Sequence, residues 1–70
     1  MASAMKLKID EQSDALYLRL NEAAIVESEE VQPGVILDFD EQGRVGGVEL
    51  LRVKERTAGA SLRTVTVETV

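Results

Sequence analysis

The chain reads as a mostly β protein, a small antiparallel sheet of about five to six strands built on two hairpins. Three observations carry that reading. Apolar and polar residues alternate with period two over 5–10, 15–20 and 35–40; short polar or Pro-Gly breaks separate these runs; and the tail SLRTVTVETV has strand composition.

Taken in order, MKLKID sets Leu7 and Ile9 on one face and Lys6 and Lys8 on the other. After the break at 11–14, ALYLRL sets Leu16, Leu18 and Leu20 against Ala15, Tyr17 and Arg19. The two runs form the first expected hairpin. A third strand over 24–31 has the acidic centre ESEE and only Ile25, Val26 and Val31 to bury, which suits a sheet edge. Pro33-Gly34 fits a type II turn, whose geometry splays strands and predicts a corner more than a tight hairpin. VILDFD then places Val35, Leu37 and Phe39 opposite Ile36, Asp38 and Asp40. DEQG breaks the chain again, and 44–51 returns with Val48 and Leu50 on one face and Val45, Glu49 and Leu51 on the other, completing the second hairpin. RVKERTAGA admits a short helical turn near 52–57, a loop or a linker. In the tail, Val65 and Val67 share a face with no local strand to pair with, so it pairs far back, pairs with another chain or frays. The domain is expected over 5–56, with 57–70 as linker and C-terminal strand. Residues 1–4 match no element and read as a disordered leader, with Met5 as the natural start.

Composition narrows the chemistry. There is no cysteine and no histidine, so disulfides, thiolate or imidazole zinc sites and Cys-His or Ser-His nucleophile pairs are excluded. Thirteen acidic residues against eight basic leave a net charge of −5, and Tyr17 and Phe39 are the only aromatics. Phosphate backbones are repelled and single strands find no stacking platform, so direct nucleic-acid binding is not expected. No apolar run approaches the ~20 residues of a membrane span, and no signal peptide is visible, which points to the cytoplasm. No cofactor is implied. A chain this short buries only about 60% of the surface it exposes unfolded, so self-association into a homo-oligomer is expected.

The segments DALYLRL (14–20), EEVQPGVILDFDEQG (29–43) and GVELL (47–51) resemble domain of unknown function family 2283, in order, spacing and residue type, over about residues 5–56. The resemblance implies a compact β-rich fold with no assigned activity. Some members are encoded beside toxin-like small proteins, which suggests an antitoxin-type role. Gly46 departs from the pattern, where members carry an apolar residue; Gly46-Gly47 should soften that strand or mark a bulge.

Four groups of residues invite a functional reading. In DFDEQGRVGGVE, Asp38, Asp40, Gln42, Gly43 and Glu49 stand at positions one, three, five, six and twelve of a calcium loop. Strand patterns flank it where a calcium loop has helices, so a hairpin turn with Asp residues and a positive φ at Gly43 is favoured over a weak cation site at Asp38, Asp40 and Glu49. Glu27 and Glu29 lie on one strand face and Glu30 on the other, and with Asp38 and Asp40 they bring at most two carboxylates together; paired acid/base work needs one of the two shielded to raise its pKa, and edge-strand carboxylates read as a solvated face. Ser13 beside Asp14 has no base other than a lysine and reads as turn chemistry. Tyr17 and Arg19 share an exposed face and could anchor a partner or cap the core edge. No catalytic set can be named. The leading expectation is an acidic protein-binding or regulatory module, antitoxin-like and homo-oligomeric, that contacts a small basic protein through Tyr17, Arg19, Glu27, Glu29 and Glu30. The alternative is a self-assembling domain that binds a small ligand or cation between subunits.

Overall fold

The computed structural model describes residues 4–58 and 61–70 of the chain. Five strands and one helical turn follow in sequence: β1 (Lys6–Asp10), β2 (Ala15–Arg19), β3 (Glu27–Gln32), β4 (Val35–Phe39), β5 (Val45–Leu50) and α1 (Val53–Arg56). The strands form a single antiparallel sheet in the order β1-β2-β5-β4-β3. Strands β3, β4 and β5 follow one another by tight turns, and β2 lies beside β5, which is a Greek-key arrangement read from its C-terminal end.

Register sorts the side chains. Leu7, Leu18, Val48 and Leu37 are directly paired across four strands, and Ile9, Leu16, Leu50 and Val35 form the next row. One face is therefore aliphatic. The other carries Lys6, Arg19, Gly47, Asp38 and Ser28 in one row and Lys8, Tyr17, Glu49, Ile36 and Glu30 in the next. A one-residue slip would exchange the faces, so this alternation holds the register.

Two expectations about β3–β5 are corrected. Pro33-Gly34 does take up a positive φ at Gly34, +80°, but β3 and β4 pair directly on either side of it as a tight hairpin, with Gln32 opposite Val35. The bulge between Glu30 and Gln32 supplies the extra twist that a type II turn lacks, and the Glu30 carboxylate accepts the Gly34 N–H at 2.8 Å. The second bulge lies opposite Asp38 and Phe39 and leaves Gly46 over, so Val45 pairs with Phe39 and joins the aliphatic face instead of the side of Glu49. Residues 61–70 form no strand within the chain, so of the outcomes open to the tail, pairing far back is not the one seen.

The ends of the strands are closed by carboxylates. Asp40 is 6% exposed, and its Oδ1 accepts the N–H groups of Gln42 and Arg44 at 2.9 and 3.0 Å, with the Arg44 guanidinium 3.5 Å from Oδ2. At the opposite end Asp14 accepts the Val53 N–H on its carbonyl and the Lys54 N–H on its carboxylate, tying α1 to the first hairpin. Arg56 donates to the carbonyls of Leu51 and Pro33. The leader expected over 1–4 falls outside the described residues except for Ala4.

Core burial is thin. Ala15, Val53 and Leu62 are the buried apolar residues among those described, and no large side chain there is fully enclosed.

The close approach at Gly47 gives a direct test. A Cβ there would collide with the Tyr17 hydroxyl and stand 2.9 Å from its ring. Gly47→Ala is expected to lower stability in urea denaturation by about 1–3 kcal/mol, as overpacking does. In a Tyr17→Ala background the same change should cost nothing, since alanine outperforms glycine within a strand.

Acid sensitivity follows from Asp40, whose carboxyl is held below its usual range, first by the Arg44 N–H and also by that of Gln42 and the Arg44 charge. Its stabilisation is present above the ordinary carboxylate pKa and is lost as pH falls through the depressed one. The Asp40→Asn chain should show a shallower loss of stability on acidification than the wild type.

Candidate functional site

The polar face is organised around Tyr17. Its register partner on β5 is Glu49, and the neighbouring position along that strand is Gly47. Because Gly47 has no side chain, the ring crosses β5 and the hydroxyl donates to Asp38 Oδ2 on β4 at 2.7 Å. Ser28 on β3 donates to the other carboxylate oxygen at 2.6 Å. One carboxylate thus gathers donors from β2 and β3, and three strands are linked on this face across β5.

Charge is graded along the same surface. Lys6 and Lys8 on β1 and Arg19 on β2 make one side basic; Glu49, Asp38 and Glu30 make the other acidic. A shallow depression lies between Lys6, Lys8, Tyr17 and Arg19 and ends at Asn21 and Glu22. A second lies between Lys8, Asp10, Ala15, Tyr17 and Glu49.

Of the residues singled out in the sequence, Tyr17 is turned inwards to Asp38, and Arg19 serves the chain itself. Its guanidinium donates to the Asn21 carbonyl at 2.7 Å and to that of Ala23. The link from β2 to β3 is held across the end of β5 this way, with Ile25 packed against Gly46. Glu27, Glu29 and Glu30 lie on β3, an outer strand exposed along all six residues. Glu27 and Glu29 share the aliphatic face with Phe39 and Leu37, and Glu30 faces the other way. The three are adjacent to one another and distant in the sheet order from Tyr17 and Arg19.

The calcium-loop candidates are not brought together. Asp38 is engaged by Tyr17 and Ser28, Asp40 by the backbone of its own turn, and Glu49 pairs with Tyr17 and Ile36. Among the described residues no three His, Cys, Asp or Glu side chains are grouped to hold a metal ion. Gly43 has the positive φ expected of the turn, +76°. Ser13 donates its N–H to the Asp10 carboxylate, a turn contact.

What sequence reasoning missed is the reach of Tyr17 to Asp38. The available signal was a glycine inside a strand pattern, which marks close approach as often as a bulge; Gly46 supplies the bulge and Gly47 the approach.

The Asp38 carboxylate, followed by burial, raises the Tyr17 pKa above its ordinary value. A pKa raised by folding contributes stability that is present below the unfolded value of about 10 and is lost as pH rises through the folded one. Tyr17 is the only tyrosine, so ultraviolet titration reads it alone. The midpoint should lie above about 10 in the wild type and return towards it in Asp38→Asn; a wild-type midpoint at the free-tyrosine value would show that the bond does not persist.

No helix among the described residues is long and apolar enough to cross a membrane. No curated protein and no solved structure matches the chain. The family model described as protein of unknown function DUF2283 matches residues 6–54, the span that holds all five strands and the first two residues of α1, and the chain belongs to that family.

Proposed function

We propose that the chain is a small cytoplasmic, homo-oligomeric protein-binding module that docks a basic partner along the open edge of β3, in the manner of an antitoxin. The observation that carries this reading is the edge itself. β3 pairs with β4 on one side only, is exposed at every residue, and carries Glu27, Glu29 and Glu30. An open edge offers backbone donors and acceptors to an added strand, and the side chains along it decide which strand is accepted.

Charge supplies that selectivity. Three glutamates on one short edge discourage a neutral or acidic strand and favour one rich in Lys or Arg. The net charge of −5 steers such a partner in from a distance. Glu30 is tied to the Gly34 N–H, which leaves Glu27 and Glu29 as the principal contacts. Tyr17 and Arg19, engaged within the chain, support the sheet from which the edge projects.

Affinity purification of the tagged protein from its native host at moderate salt, followed by mass spectrometry, should recover a stoichiometric small basic protein. Glu27→Lys with Glu29→Lys should weaken that complex at least about tenfold, and raising the salt should weaken the wild-type complex as screening grows. Recovery of the protein alone at every salt concentration would sink the edge reading.

A further inference from the structure

We infer that the aliphatic face of the sheet closes against the same face of a second copy, so that two single-layer sheets make one β-sandwich. The inference gives a surface to the homo-oligomer proposed above and does not depend on the β3 edge.

The argument begins with surface area. The chain exposes 5480 Å², whereas a folded monomer of 7.6 kDa exposes about 4,300 Å². The excess is roughly 1,200 Å², against the ~800 Å² that each partner contributes to a stable interface. Some of it belongs to the tail, where Val65, Val67 and Val70 are open. The rest is spread over the remainder of the chain, the sheet included, where Leu7 and Ile9 are 44% and 40% exposed and no large apolar side chain among the described residues is fully enclosed.

The chemistry of the face selects the occupant. It is aliphatic from β1 to β4, and its charged side chains, Glu27 and Glu29, stand at the β3 margin. A second copy presents the same dry, flat, ridged surface, and sheets of this kind interdigitate about 10 Å apart. A two-fold axis along the strands sets the β3 margin of one copy over β1 of the other, where Leu7 and Ile9 stand on this face, and keeps the glutamates of the two copies apart. The interface is isologous and closes at two.

Salt separates this contact from edge binding. Two chains of charge −5 repel one another, so screening strengthens the dimer, while it weakens a complex with a basic partner.

Light scattering coupled to size exclusion, on the purified full chain between about 10 µM and about 1 mM, is the test. The expected mass is twice 7.6 kDa, with a melting temperature that rises with protein concentration. Leu7→Glu and Ile9→Glu alter side chains that a lone chain leaves exposed, so their fold should persist by circular dichroism while the dimer weakens at least about tenfold. A monomer throughout that range, or a dimer indifferent to Leu7→Glu and Ile9→Glu, would overturn the inference and leave the edge reading standing.

Discussion

A sheet whose side chains alternate between apolar and polar has one face to be kept dry, and a stable domain does this with a second layer. Here the second layer is scant. After five strands the chain has one helical turn and a tail, and from these Val53 and Leu62 are buried. Both lie near the first hairpin, where Asp14 holds the start of α1 and Arg63 pairs with Glu11 at 3.1 Å. The residues in the middle of the aliphatic face, Leu18, Leu37 and Val48, are half-buried. A leucine in that position realises only part of the roughly 1.5–3 kcal/mol that full burial provides, so the single chain is short of its main source of stability. The other features of the molecule read as responses to that shortage.

The polar face is the first response. Cross-strand pairs hold a sheet together without a core, and this face concentrates them on one carboxylate. Tyr17 and Ser28 both donate to Asp38, and the Tyr17 ring occupies the space that a side chain at Gly47 would need. The hairpin ends are fastened in the same manner by Asp40 and Asp14, each accepting two or more hydrogen bonds. Hydrogen bonds to a charged acceptor are worth about 1.5–3 kcal/mol where they are sheltered and less at the surface, which makes carboxylates effective fasteners for a sheet with little core.

Most of the strands were legible because a period of two leaves little choice. Lys6 to Asp10, Ala15 to Arg19 and Val35 to Phe39 alternate cleanly and fold where that alternation ends. The glutamate-rich run was legible as an edge, since no interior strand tolerates ESEE, and the family resemblance marked the same span that the family model matches. Three things were not legible. The tight hairpin at Pro33-Gly34 depends on a bulge at Glu30 and Gln32, and the facing of Val45 depends on a bulge at Gly46; a bulge is a one-residue break in the period of two, which alternation alone does not mark. The Tyr17–Asp38 bond depends on strand order, with β5 between β2 and β4, and that order is a property of distant segments. The bond of Tyr17 follows from that order, whereas Arg19 bonds locally to the Asn21 and Ala23 carbonyls.

Edge and face are separate directions of growth from one sheet. Strand addition at β3 extends the sheet in its own plane through backbone hydrogen bonds, whereas face pairing stacks along the normal through side chains. The two meet at Glu27 and Glu29, which stand on the aliphatic side of the edge strand. A basic strand laid along β3 would neutralise these glutamates at the margin of the proposed sandwich, so occupation of the edge would remove charge from beside the dry interface. On the two proposals taken together, binding at one surface would favour binding at the other, and by linkage the face-paired form would hold the basic partner more tightly than a lone sheet would.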